Sequence, residues 1–182
     1  MRHKVFISYH HANDQEYKNR LIRDFSDDFD GMVNKSVGDG DINPLLKTET
    51  IRAKIRDEFL RDSTVTIVLI GLETWKRKHV DWEISGSIRD TQYNPRSGLV
   101  GLILPSHPAY NSWRGIENYK HTIPPRLYDN YEKGFAKIYD WTNYHFELQE
   151  YIHEAFQNRT KIIPDNSFPS FVNNRSGLGW QR

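Results

Sequence analysis

The chain has 182 residues, a net charge of +1 and no cysteine; that is enough for one domain with a full core, and it excludes disulfides, thiol catalysis and Cys-ligated zinc. Hydrophobic residues make up 37% and charged residues 27%, which describes a globular chain whose near-neutral balance gives no electrostatic case for nucleic acid or an acidic membrane. No run approaches the ~18 apolar residues of a membrane helix, and the opening MRHKVFISYHH is too short for the apolar core of a signal peptide, so a cytoplasmic protein is expected.

Lys4 to Tyr9 (KVFISY) reads as a short strand. His10 to Asp14 is a polar turn in which Asn13 or Asp14 can cap a helix over roughly Gln15 to Phe29, with Tyr17, Leu21, Ile22 and Phe25 on one face. Gly31 to Ser36 is a weak strand, and Val37 to Pro44 is a loop by composition. A second helix starts near Lys47, with Ile51, Ile55, Phe59 and Leu60 as its apolar face. Asp62-Ser63 then turns the chain into Val65–Ile70, a continuous β-branched run stopped by Gly71, as suits a strand covered on both faces.

The next helix carries Val80, Ile84 and Ile88 as one stripe. Glu83 sits only about 60° from Val80 around the wheel, at the edge of that stripe. Two readings of this acid stand side by side: a reactive carboxylate just beyond the end of a central strand, or a first-turn Glu favoured by the helix dipole. Asn94 to Gly98 is a turn, and Leu99 to Leu104 is another buried strand. Ser106 to Gly134, with three prolines and no clean period, reads as a long irregular insertion. Phe135 to Trp141 is the last strand. Thr142 or Asn143 caps a helix from about Tyr144 to Lys161. Residues 162–182 read as an irregular tail, with Phe168, Phe171 and Trp180 available to anchor it on a single domain spanning residues 1–161.

Strands alternating with helices imply a parallel sheet with helices on both faces. The expected fold is α/β and flavodoxin-like, five strands in the order 2-1-3-4-5. That order makes strands one and three neighbours and brings Ser8, Tyr9 and His10 to the same crevice as Gly71 and Glu83. Several chemistries lack their motifs: there is no acidic pair after strand one and no Asp ending strand three, as a phosphoacceptor domain needs, and no G-x-G-x-x-G, Walker loop or G-x-S-x-G elbow. Asp39-Gly40-Asp41 has Pro44 and Thr50 where a calcium loop needs Gly and Glu. His10-His11 are adjacent and diverge, so no metal is expected.

VFISYHHANDQEY, an acid-containing loop after strand two, and TWKRKHVDWE after strand three together resemble a TIR domain. Phe6-Ile7-Ser8-Tyr9 matches the family's F-x-S-type first strand, and Glu83 falls on the acid of its W-x-x-x-E pattern. His79 stands where that pattern has Trp, which is a departure. Within the group the chain is similar to the TIR-like (ThsB-type) protein of the bacterial Thoeris anti-phage system, through the strand ending V-L-I-G, Trp82-Glu83, Val100-Gly101-Leu102-Ile103 and Tyr139-Asp140-Trp141. The resemblance implies cleavage of the nicotinamide–ribose bond of NAD+ and cyclisation of ADP-ribose to a signal read by a downstream effector. It needs no prosthetic group, with NAD+ as substrate and Glu83 as the catalytic acid. Ser8, His10 and Asp39 would then contribute polar contacts, and Trp75 or Trp82 would stack on a base. The competing readings are a non-enzymatic module for TIR–TIR association and a nucleotide sensor without turnover.

Overall fold

The computed structural model describes residues 2–33, 37, 40–112 and 115–182. Five strands form one parallel sheet in the order β2-β1-β3-β4-β5: β1 His3–Ser8, β2 Phe29–Val33, β3 Val65–Ile70, β4 Gly98–Ile103 and β5 Ala136–Asp140. The expected topology is therefore observed. Ser8 lies level with Val68, and Ile70 with Ile103. Every residue of β3 is buried, because its alternate side chains enter two different cores. Val65, Ile67 and Leu69 pack with Leu21 and Phe25 of α1 (His11–Phe25) and with Leu148 and Ile152 of α6 (His145–Lys161). Val68 and Ile70 pack on the other face with Val80, Ile84 and Ile88. That face is covered by α3 (Lys78–Ser87) and α5 (Pro125–Glu132). Beside them, α2 (Thr48–Lys54) and the turn after it bring Ile51, Ile55, Phe59 and Leu60 against Phe6 and Trp82. Covering both faces is what a run with no polar alternation requires.

Several boundaries differ from expectation. The first helix starts at His11 and stops at Phe25, and Phe29 opens β2. Apolar spacing does not separate a helix's last turn from the strand that follows. The helix α2 widens into a π turn over Ile55–Phe59, where the Leu60 amide donates to the Ile55 carbonyl. Buried Arg56 sits in that turn. Its guanidinium donates to the carbonyls of Leu60 and Ser63 and to the hydroxyls of Ser63 and Ser97, joining the amino-terminal ends of β3 and β4. Burial lowers its pKa to about 10, so it stays charged.

The segment 106–134 is not irregular throughout. It holds α4 (Ile116–Tyr119), a 3-10 turn at Lys120–Thr122, and α5, whose Leu127 and Tyr128 are buried in the core. Pro125 stands at the start of α5, where its missing N–H costs nothing. Gly134, at φ +81°, ends it in the left-handed conformation. In residues 162–182 no helix or strand forms, and Phe168, Phe171 and Trp180 are buried against the α3–α5 face.

Candidate active site

The site is built where β1 and β3 end side by side. Phe6 faces α2 and α3, so Ser8, two residues on, faces the same way. Ser8 Oγ donates to Glu83 Oε2 at 2.6 Å, and the Val37 amide donates to Glu83 Oε1 at 3.0 Å. Glu83 is wholly buried. Burial pushes its carboxyl up from 4.5 to about 8, although both hydrogen bonds pull the other way. Desolvation of the charged form outweighs two donors here. Val37 and Ile42 are themselves buried in the α2 cluster, and the Val37 amide closes off one carboxyl oxygen.

A second layer ties the two turns together. His79 Nε2 donates to the Tyr9 carbonyl at 3.1 Å. Burial lowers the His79 pKa to about 4, which leaves a neutral ring in the Nε2–H tautomer. His11 stacks between Tyr9 and His79, with ring centroids 4.7 Å from each. Asp14 is buried in the first turn of α1. Thr74 Oγ1 accepts from the Gly71 amide at 2.9 Å and donates to Asp14 Oδ2 at 3.2 Å. A Cβ on Gly71 would lie 2.4 Å from that carboxylate, so glycine is the residue that lets the β3 end approach it. The predicted candidate His10 is buried at the start of α1, with its Nδ1 lacking a partner. Burial and nearby Arg77 hold its pKa down.

Two of the predicted residues take other roles. Trp75 is buried in the α3–α5 core. Trp82 packs in the α2 cluster and its indole N–H donates to the Phe171 carbonyl at 2.8 Å. Neither indole has an open face for stacking, because each ring is spent on packing. Asp39 lies outside the described residues. Asp14, Thr74 and His79 went unassigned as site residues, since only the tertiary fold brings the two turns together. Among the described residues, no group of three or more His, Asp or Glu side chains is arranged to hold a metal ion.

The far side of α3 is held along its length by residues beyond β4. Asn174 Oδ1 accepts from the Lys78 amide, the Phe171 amide donates to Asp81 Oδ2, and Asn166 Nδ2 donates to the Ser85 carbonyl. Arg126 Nε of α5 lies 3.0 Å from Asp81 Oδ1, both side chains buried, and Arg126 Nη2 donates to the Phe168 carbonyl at 2.7 Å. Asp81 and Glu83 are about 200° apart around the helix, so α3 is clamped from behind while Glu83 meets Ser8 in front.

A family model described as the TIR-like domain of Thoeris protein ThsB matches residues 6–108. The chain belongs to this TIR-like family. The match runs from Phe6 in β1 past the end of β4 and contains Ser8, His79 and Glu83, whereas α5, β5, α6 and the clamp residues 126 and 166–174 lie beyond it. Membership makes the chain a TIR-family defence protein. A search among curated proteins produced no match. Among the described residues, no helix is long and apolar enough to cross a membrane.

Proposed function

We propose that this TIR-like chain cleaves the nicotinamide–ribose bond of NAD+ and closes the ADP-ribose moiety into a cyclic signal for a downstream effector in anti-phage defence, with Glu83 as the reacting carboxylate. The observation that supports this most is the Glu83–Ser8 contact at the carboxyl ends of neighbouring central strands, where open α/β sheets place their ligands. The chemistry asks little of the protein. Nicotinamide leaves with the bonding electrons of the glycosidic bond and departs neutral, so no general acid is required. The ribose carbon left behind is oxocarbenium-like, and an ionised carboxylate beside it stabilises that charge. A nucleophile of ADP-ribose itself, or water, then completes the substitution. Ser8 and His10 would hold ribose hydroxyls.

On this reading the buried Glu83 belongs to a resting state. NAD+ reaches the carboxyl once the Val37 amide releases it, and water then enters and favours the ionised form. Such a chain is latent until triggered. Incubation of the whole protein with NAD+ and an infected-cell extract tests it: nicotinamide should appear and NAD+ decline. Glu83→Gln, with an unchanged circular dichroism spectrum, should reduce turnover by at least about 10²-fold. Undiminished turnover in that variant would falsify the role of Glu83.

The complete burial of Glu83 favours one alternative, a TIR module that acts by association alone. In that case NAD+ levels stay constant in infected cells and Glu83→Gln leaves protection intact.

A further inference from the structure

Away from Glu83, a groove of about 850 Å³ runs between α5 and residues 180–182. That is the size of a small-ligand site. Tyr128, Asp129 and Trp180 form its buried floor. The two oxygens of Asp129 are in different states. Oδ1 accepts from the Arg182 guanidinium, whereas Oδ2 is buried without a partner. The Asp129 side chain is 8% exposed and that of Arg182 is 68% exposed, so a guanidinium reaches in from solvent to a desolvated acid. A buried acceptor left unpaired is unfavourable, and more so when charged. A guanidinium presents parallel donors that can satisfy both carboxylate oxygens, and Arg182 serves only one of them.

The neighbouring cations have acids of their own. Lys120 Nζ stands 4.0 Å from Glu117, and Asp165, whose pKa is lowered first by its hydrogen bonds from Ser167, is close enough to Lys133 for that charge to add to the shift. With Arg182 swung away, Asp129 and Glu132, three residues apart on one face of α5, leave the groove negative. Burial raises the Asp129 pKa and the Arg182 charge opposes that shift, as expected of an acid that needs a cation.

We propose that this groove is a binding site for an arginine side chain of a partner polypeptide, which pairs with both oxygens of Asp129 and displaces Arg182. The site is separate from Glu83, and the proposal does not depend on NAD+ chemistry. The Trp180 indole N–H, which donates to the Ile123 carbonyl at 2.6 Å, is the reporter.

The test titrates the full chain with the peptide acetyl-Gly-Arg-Gly-amide while following the Trp180 indole signal by NMR. A saturable shift is expected, at least about tenfold weaker with citrulline or lysine in place of arginine, since neither presents the charged fork. Arg182→Ala should tighten binding about threefold or more by removing the internal competitor. Asp129→Asn should abolish it, with the rest of the spectrum unchanged. Equal binding of the citrulline or lysine peptide, weaker binding by Arg182→Ala, or no saturable shift with arginine overturns the proposal. Because Arg182 is exposed, its variant keeps the test decisive if Asp129→Asn does not fold.

Discussion

Two side chains carry most of what is distinctive here, and both have displaced pKa values. Glu83 keeps its proton in the folded chain up to about pH 8, whereas its ordinary pKa is 4.5. Across that window the folded state holds a proton that the unfolded state has lost, so stability falls as pH rises from about 4.5 to 8 and the full penalty persists above it. Glu83→Gln removes this contribution. Thermal melts from pH 5 to 8.5 should show wild-type Tm declining relative to the variant; parallel profiles would argue against a buried neutral acid. His79 is displaced in the opposite sense, to about 4. Its ring should stay in the Nε2–H tautomer from pH 8 down to about 5, which nitrogen NMR shifts report directly. A ring that protonates near pH 6.5 would mean that Tyr9 and His11 do not enclose it. Glu83 drew notice in the sequence as an acid at the edge of an apolar stripe, but position left two readings open and only the TIR resemblance attached a reaction to it. Strand order alone brought it to the same crevice as Ser8, and the hydrogen bond between them is a finding of the structure. The Asp14–Thr74–Gly71 link and the His79–Tyr9 contact were not legible, because neither half shows a local anomaly. The burial of Trp75 and Trp82 was not legible for a related reason: an aromatic residue's identity does not say which way its ring faces.

Among the elements, α3 is the one whose position matters, and it is held by side chains rather than by covalent continuity. The Arg126–Asp81 pair is buried at both ends. Removing one partner leaves an uncompensated charge, so Asp81→Asn or Arg126→Met should each lower stability by ~3–5 kcal/mol in urea unfolding. The double replacement Asp81→Leu/Arg126→Met should cost less than the sum of the single ones. Additive losses would show that the two residues act apart. On the other side of the crevice, Gly71→Ala forces a methyl group onto the Asp14 carboxylate and should cost ~1–3 kcal/mol, partly recovered in Gly71→Ala/Asp14→Ala. The helix α5 escaped sequence reading because Pro124-Pro125 suggest a loop, although Pro125 and Gly134 bracket a helix by the usual start and stop chemistry. The π turn after α2 has no counterpart in apolar spacing, since the demands of Arg56 come from strands distant in sequence.

At the scale of the whole molecule, alternation of apolar strands with amphipathic helices was enough to arrive at the five-stranded order. Handedness and the doubly covered central strand leave few other arrangements. The structural contribution of residues 162–182 was harder to see. They lack period, yet Phe168, Phe171 and Trp180 close the core over α3 and α5, and they carry donors and acceptors that only the folded α3 can meet. A chain ended after Lys161 should lose near-UV circular dichroism and bind a hydrophobic dye while retaining far-UV signal, the behaviour of a loosely packed state. Native near-UV signal in that truncation would show the tail to be a passenger.

The clamp on α3 lies outside the span that identifies the family: residues 6–108 contain Ser8 and Glu83, and residues 126 and 166–174 hold the helix from behind. The Ser8–Glu83 contact and the restraint on its helix are thus written in separate stretches of the chain. Changes in the second stretch can raise or lower the threshold at which α3 yields while Ser8 and Glu83 stay as they are. Two members with identical crevices can therefore differ in how easily α3 shifts, and grafting the matched span onto another carboxyl-terminal half would transfer the crevice without the restraint behind it.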